Sequence, residues 1–336
     1  MAPDRATPIA IYYEQQHWFK PLFAELDRRG TSYVRLDAIE HSYSAEDHPE
    51  DEYALVFNRM SPSAWNRDHG DAVFYTLGYL EHLERRGVRV INGLKAFRTE
   101  LSKAAQLSLL EELGLAYPKA RVIHRPSQAI QVAEGLRWPI VVKPNIGGSG
   151  AGVTRFDSPE TLRRAAVEPH GLAFGLDSTA LLQEFIPARD AHIVRVEVLN
   201  GRYLYAIKIH ITGETFDLCP ADICLTSDGV ELNRVACPVD APKTGVSVEG
   251  YEPPAEVIAD VERIMHHAGI EIGGVEYITD DRDGRRYYYD INALSNFVAD
   301  GPRVIGFDPF VKLVDWLESE AAIANAKHSV FAGAVL

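Results

Sequence analysis

The chain has 336 residues, 46% of them hydrophobic and 24% charged, enough for two or three domains with a sizeable buried core. Lys and Arg number 34 against 48 Asp and Glu, a formal net charge of -14 that opposes non-specific binding to nucleic acid or anionic lipid, so an anionic ligand must meet a local basic site. Residues 1–5 lack a signal-peptide pattern, and no run approaches the roughly 18 apolar residues of a membrane span. Three cysteines (Cys219, Cys224, Cys237) with no C-x-x-C pair read as buried or pocket-lining thiols in a reducing cytoplasm, not as a disulfide framework or zinc site.

In chain order, residues 9–14 read as a strand, and Trp18, Leu22, Phe23 and Leu26 as a helix ending near Gly30. Strands follow at 33–36 and 53–57, then a helix over 72–86 closed by Gly87 and a strand over 88–91. Alternating strands and helices predict a parallel sheet with crossover connections in residues 1–95. No G-x-G-x-x-G follows the first strand, so the dinucleotide fingerprint is absent. The loop Asn58-Arg59-Met60-Ser61-Pro62-Ser63 follows the third strand at its carboxyl end, where open α/β sheets place ligands; its Arg59 reads either as a hold for a substrate carboxylate or as a surface arginine.

Thr99 reads as the N-cap of a helix over 100–113 that Gly114 stops. Lys103 lies in its first turn, where a lysine opposes the helix dipole and hints at an anion to bind. A second sheet starts at 122–123, followed by a short helix over 127–135. The stretch P-I-V-V-K-P-N-I-G-G-S-G-A-G-V-T-R-F then places glycine at four of the six positions 147–152, between two strands. Such a hairpin tip lets backbone N–H groups approach phosphates, with Lys143 adding a positive charge; a merely flexible turn is the competing reading. A Walker loop fails at Gly152-Val153-Thr154 and a nucleophile elbow at Ala151.

Residues 181–187 read as a short apolar strand, and 193–199 and 203–209 as a pair joined by Asn200-Gly201. Arg195 and Lys208 on that pair read as phosphate-facing or as solvated cations. Residues 212–251 are irregular, and 255–268 form an amphipathic helix. In I-G-G-V-E-Y-I-T-D-D-R-D-G-R-R-Y-Y-Y-D-I-N, two β-rich runs flank Asp280–Gly284 as an antiparallel hairpin. Period two puts Tyr287, Tyr289 and Ile291 on the core face and Tyr288, Asp290 and Asn292 on the other. A turn symmetric about Asp283 sets Glu276 opposite Asp290, a like-charge pair that costs stability unless a cation lies between. With Asn292, these oxygens suit a hard divalent ion, Mg²⁺ shared with nucleotide phosphates; a solvated acidic face is the alternative. Asp308 caps and Pro309 begins a last helix through Leu317, and residues 322–336 carry no clear pattern.

In this order the parts resemble the ATP-grasp superfamily, and within it the branch of the ribosomal-protein glutamate ligases and glutathione-synthetase-like enzymes. The resemblance rests on V-I-N with Lys103 downstream, V-V-K-P-N-I-G-G-S-G-A-G-V, L-L-Q-E-F-I-P and the G-V-E…D-I-N hairpin. It implies an α/β (α+β) fold: a parallel-sheet pre-ATP-grasp domain (1–95), a central subdomain with a glycine-rich lid (96–180), a C-terminal subdomain with the metal hairpin (181–320) and a tail (321–336). It further implies that ATP lies between the subdomains, with adenine against Gln183, Glu184, Phe185 and Ile186 and with Asp190 or His192 near the ribose. Phosphates would meet Lys103, Lys143, Lys208 and the lid residues Gly147, Gly148, Ser149, Gly150 and Gly152. Glu276, Asp290 and Asn292 would hold two Mg²⁺ ions.

Two departures stand out. Relatives carry Asp, Glu, Asn at the metal positions where this chain has Glu276, Asp290, Asn292, and they turn through Ser-Pro-Gly where it has Ala293-Leu294-Ser295-Asn296-Phe297. Substrate contacts are assigned to Arg59, Ser295 and Asn296, and Arg195 or Arg303 to the intermediate. The implied reaction activates a carboxylate as an acyl phosphate for attack by an amine, on small amino-acid-like substrates, in a cytoplasmic monomer or homodimer without nucleic acid or membrane partners. A small-molecule kinase and a nucleotide-binding regulator without turnover are the alternatives.

Overall fold

The computed structural model describes residues 7–148, 150–211 and 246–334, with side chains through residue 326. Ser149, Cys219, Cys224 and Cys237 lie outside the described residues.

Strands β1 (Ile9–Tyr13), β2 (Tyr33–Asp37), β3 (Leu55–Arg59) and β4 (Val90–Ile91) form a parallel sheet in the order β2-β1-β3-β4. β1 and β3 are buried at every position, which is why they read as unbroken apolar runs. Helices α1 (Lys20–Arg29), α2 (Pro49–Glu52) and α3 (Gly70–Arg85) make the connections, and Gly30 ends α1 in the left-handed conformation. α4 (Leu94–Leu101) sends Leu94, Phe97 and Leu101 into the same core. Ser102, not Thr99, caps α5 (Lys103–Glu112): its hydroxyl accepts the Ala105 N–H at 3.1 Å, whereas Thr99 is already helical and its hydroxyl bonds the Lys95 carbonyl.

β5 (Ala120–Ile123), α6 (Ala129–Val132), β6 (Ile140–Pro144), β7 (Thr154–Phe156), α7 (Pro159–Val167) and β8 (Ala180–Glu184) build the central layer, an antiparallel sheet ordered β5-β8-β6-β7. β8 pairs with both β5 and β6.

The third sheet, β11-β10-β9-β12-β13, is antiparallel and comprises β9 (His192–Leu199), β10 (Arg202–Ile211), β11 (Val246–Tyr251), β12 (Ile272–Thr279) and β13 (Arg286–Asn292). The β9–β10 turn uses Asn200 and Gly201 with φ of 53° and 65°, the positive values a two-residue hairpin requires. One sheet face packs Val194, Val196, Val198 and Ala206 with α8 (Ala255–Ala268); the other sends Ile193, Tyr205, Ile207 and Ile209 into the core shared with α1.

After α9 (Gly301–Val304), α10 (Pro309–Ala334) returns to the first unit, where Arg29 bonds Asp315 at 2.7 Å and Glu318 at 3.0 Å. The segment expected to lack pattern is thus helical through Ala334. Its run of alanines has high helix propensity without an apolar stripe for periodicity to detect. The buried Asn92 of V-I-N, in the left-handed region, ties the layers together. Its amide donates to Ile272 O at 2.7 Å and Ala293 O at 2.5 Å, and its oxygen accepts the Glu271 N–H at 2.9 Å.

Candidate functional site

Along β12 and β13, Glu276 lies opposite Asp290 as expected and Gly274 opposite Asn292, although the turn is not symmetric about Asp283, since Thr279 pairs with Arg286 and Tyr277 with Tyr288. Between Glu276 and Tyr277 the register slips by one, and Tyr289 is the extra residue of a bulge. The alternation therefore breaks: Tyr288 is buried beside Tyr277 in the core, while Tyr289 turns to the cleft and donates to Glu276 Oε2 at 2.8 Å. Strict alternation puts Tyr289 on the face opposite Asp290; instead its ring packs at the margin of a core while its hydroxyl reaches the carboxylate side. A bulge re-aims a side chain, and sequence periodicity is blind to it.

Each facing carboxylate has its own cation. Glu276 Oε1 accepts from Arg195 Nη1 at 3.0 Å, and Arg195 Nε donates to the fully buried Glu197 at 2.6 Å. Asp290 pairs with Lys103 from the first turn of α5 and accepts from the Asn292 amide at 3.2 Å. A Cβ at Gly274 would stand 2.8 Å from Arg195 Nε, so glycine there gives the guanidinium room to cross the sheet. Burial and the neighbouring Asp290 raise the Glu276 carboxyl above its usual range, only partly offset by Arg195 and Tyr289. Burial also pushes Asp290 upward, but Lys103, Lys143 and the Asn292 amide outweigh it and hold it low.

These groups line one end of a cleft of about 740 Å³ that all three layers enclose. Lys143, on β6, is buried; desolvation and then the Lys103 charge lower its ammonium to about 7. Gly147, Gly148 and Gly150 of the glycine-rich tip line the cleft, and Gln183, Glu184, Phe185 and Ile186 form its far end. Asn145 locks the two lysine-bearing elements together: its oxygen accepts the Ala104 N–H at 2.9 Å and its amide donates to Asp177 at 2.6 Å.

Other expected residues lie elsewhere. β9–β10 pairing sets Lys208 beside Val194 on the sheet face opposite Arg195, 3.6 Å from Glu249, and His192 shares that face. Asp190 is exposed outside the cleft lining, and so is Arg303 on α9. Gly152 is not among the cleft-lining residues; it has φ of +74°, and a Cβ there would meet Pro144 at 2.9 Å. Arg59 is neither at the surface nor on the cleft wall: it is 2% exposed beneath it, packed on Phe19 and Phe57 and bonded to the Ser295 carbonyl. Burial lowers its guanidinium to about 9. Ser295 is buried and its hydroxyl accepts the Phe297 N–H at 3.1 Å, whereas Asn296 does line the cleft.

Sequence reasoning missed Glu100, half-buried at the cleft wall, whose carboxyl accepts the Ala293 N–H and is pushed up to about 7 by desolvation. It also missed Trp18, whereas Ser61 and Ser63 lie in the loop after β3 that the sequence set at the ligand end of the sheet; all three line the cleft. Their signal was position, since they follow the carboxyl ends of β1 and β3.

The donor set fits a shared divalent cation. Glu276, Asp290 and Asn292 all reach the cleft, and among the described residues no group of three His, Cys, Asp or Glu side chains forms a complete cage. Two carboxylates and an amide beside two lysines suit Mg²⁺, which retains water or phosphate oxygens in part of its shell.

Two sheets clasping a cleft behind a parallel-sheet unit define the ATP-grasp fold. Residues 101–215 match the RimK-like ATP-grasp domain family. It is 33% identical over 126 residues to a D-alanine--D-alanine ligase of Geobacter sulfurreducens, a match covering 38% of each chain. To a probable alpha-L-glutamate ligase of Marinomonas sp. it is 25% identical, across 52% of this chain and 55% of that protein. The match spans well under two-thirds of these relatives. The structure of the ATP-grasp ligase PsnB with a minimal precursor superposes with a TM-score of 0.66 at 18% identity, covering 94% of this chain and 99% of that one. A D-alanine--D-alanine ligase from Bacillus anthracis gives 0.62 at 16% identity, covering 96% and 100%.

Proposed function

We propose that the protein is an ATP-dependent carboxylate–amine ligase acting on small amino-acid-like substrates. The observation that carries this is the convergence of Lys103, Lys143 and the Glu276–Asp290–Asn292 triplet in one cleft with Gln183 to Ile186, the C-terminal end of β8 and the residues after it. Adenine would lie against Gln183 to Ile186, and the phosphates would meet Lys103, Lys143 and the amides of Gly147, Gly148 and Gly150. Glu276, Asp290 and Asn292 would hold one or two Mg²⁺ ions, which supply charge neutralisation between the phosphates. The parallel sheet would serve as the pre-ATP-grasp domain, and its Ser61 and Ser63 line the cleft.

The chemistry asks little of acids and bases. A substrate carboxylate oxygen attacks the γ-phosphorus, ADP leaves, and an amine then displaces phosphate from the acyl carbon to give an amide. Positioned cations and a water-excluding cleft suffice for that sequence. Arg195 is fixed by Glu197 and Glu276, so its place is to hold Glu276 oriented. The relatives' names, D-alanine--D-alanine ligase and probable alpha-L-glutamate ligase, support an amino-acid-like class.

The test is phosphate release from ATP with amino acids and dipeptides, singly and in pairs, with mass spectrometry of products. Amine-dependent release with an amide product is expected. A stable phosphorylated product would replace the reading with a kinase, and no release with any pair would leave a binding protein.

A further inference from the structure

The turn of the β12–β13 hairpin holds the strand that forms the cleft's far end, and one buried carboxylate is the centre of that hold. Asp280 is 0% exposed. Its Oδ1 accepts from Arg282 N at 3.0 Å and Nε at 2.8 Å; its Oδ2 accepts from Arg282 Nη2 at 2.7 Å and Arg137 Nη2 at 3.2 Å. Arg137 belongs to the central layer, just ahead of β6, and its backbone N–H donates to Glu184 Oε1 at 2.9 Å. Arg282 reaches on to the Phe185 carbonyl at 3.4 Å, the Asp281 N–H donates to Pro187 O at 3.0 Å, and Asp280 makes an isolated bridge to Ala188. Segment 184–188 passes from one sheet of the clasp to the other, and the turn grips it along its length.

Along β12, Asp280 stands four residues from Glu276, about 13 Å at roughly 3.3 Å per residue. The same rigid hairpin thus carries the carboxylate pair at one end and the grip on segment 184–188 at the other. A buried carboxylate between two arginines adds little net stability compared with an apolar replacement, whereas it fixes one geometry because each charge must find its partner.

We infer that Asp280, with Arg137 and Arg282, is a positioning residue for nucleotide selection: it sets the backbone of 184–188 at a fixed distance from the phosphate end, so that a purine is read by that backbone while its phosphates reach Lys143 and the triplet. This inference rests on the proposal that 183–186 is the nucleobase edge. Loosening the turn lets the edge shift relative to the lysines, so the loss falls on base discrimination.

Equilibrium binding of ATP and of GTP in the presence of Mg²⁺, together with thermal melting, tests it on the full chain with Asp280→Asn and Arg137→Lys. Asp280→Asn is expected to weaken ATP binding about tenfold and GTP binding less, narrowing the preference for ATP. Arg137→Lys keeps the charge but loses the two-nitrogen reach toward Asp280 and Glu184, and should move the preference the same way by a smaller factor. A folded Asp280→Asn protein with unchanged ATP affinity, or with equal losses for ATP and GTP, overturns the inference, because a merely structural pair would loosen both alike. If Asp280→Asn fails to fold, Arg137→Lys decides: its side chain is 42% exposed, and an unchanged ATP-to-GTP preference overturns the inference. Wild-type protein that binds no ATP would overturn the nucleotide reading itself, whereas wild-type binding with unaltered variants sinks only the role of Asp280.

Discussion

Across the cleft, β6 and β7 pair at three positions and end in a glycine-rich tip, whereas β12 and β13 pair at six and are held at both ends by buried side chains, Asn92 at one and Asp280 at the other. Charge follows the same division. On the long hairpin every acid in the cleft has a cation: Glu276 has Arg195 and Asp290 has Lys103. On the short one Lys143 is buried with no ion-pair partner among the described residues. The long hairpin is complete in itself; the short one presents a desolvated lysine and free amides that an anionic ligand would complete. A lysine lowered to about 7 and an aspartate held low are thus two halves of one arrangement.

The largest effect should come from removing the metal-side donors. Asp290→Asn and Asn292→Ala are each expected to lower ATP turnover about a thousandfold, the scale of losing aligned charge stabilisation. Asp290→Asn should also destabilise the ligand-free protein by about 1–3 kcal/mol, because Lys103 is left partly buried without its partner. Adding Lys103→Met should recover that loss, giving a favourable coupling in a double-mutant cycle of melting curves. Simple additivity would show that the pair does not hold the hairpin.

Lys143→Met breaks the comparison from the other side. ATP affinity should fall about a hundredfold, while the ligand-free protein keeps or gains stability, since a buried unpaired lysine is a cost. The pH dependence has a definite sign. With the folded-state value near 7 and the unfolded one at 10.5, the unfolded chain binds more protons between them, so the Lys143 contribution to stability rises with pH across that window. Lys143→Met should flatten that slope. Nucleotide phosphates would restore the charge, so calorimetry near pH 8 in two buffers of different ionisation enthalpy should show proton uptake that the variant lacks.

Gly148 sharpens the contrast in packing. A Cβ there would stand 2.9 Å from Ser63 Cβ, so the glycine-rich tip meets the parallel-sheet unit with no room for a side chain. Gly148→Ala should cost about tenfold in turnover, and Gly148→Ala with Ser63→Gly should regain most of it. A single variant with wild-type rate would show that this close approach is not needed.

What the sequence could show divides along the same line. Two β-rich runs around a short turn made the hairpin legible and its Glu276–Asp290 pairing expected, but the turn's own register would set Tyr289 opposite Glu276, and it is the bulge at Tyr289 that brings Asp290 there. The four glycines of 147–152 were legible because few other reasons place them together. Arg195 and Lys208 were indistinguishable, because which face a strand turns to the cleft depends on what packs behind it, and α8 decides that. Arg59 was placed at a ligand or at the surface, yet it lies beneath the cleft with its charge near Glu197 and Glu100, which belong to other elements. Burial by distant segments has no local periodicity. The extent of α10 escaped for the opposite reason: alanine propensity sustains a helix without any stripe.

Tyr289 offers the finest test, since spacing and structure disagree about it. If alternation held, Tyr289 would pack in the core with its ring alone at work, and Tyr289→Phe would leave turnover untouched. In the bulge its hydroxyl instead donates to Glu276 Oε2 at 2.8 Å, the second hold on a carboxylate whose other oxygen meets Arg195 at 3.0 Å. Losing a hydrogen bond to a charged group costs about 1.5–3 kcal/mol when nothing replaces it, but water in the cleft and the remaining arginine soften that. Turnover should therefore fall about fivefold to tenfold, and more at limiting Mg²⁺ than at saturating Mg²⁺, because a freer Glu276 loses affinity for the ion before it loses the ability to bind it. Thermal stability should shift little, as the phenyl ring still fills its place. An equal loss at all Mg²⁺ concentrations would detach Tyr289 from the carboxylate's role, and an unchanged rate would return it to the core that the sequence first assigned it.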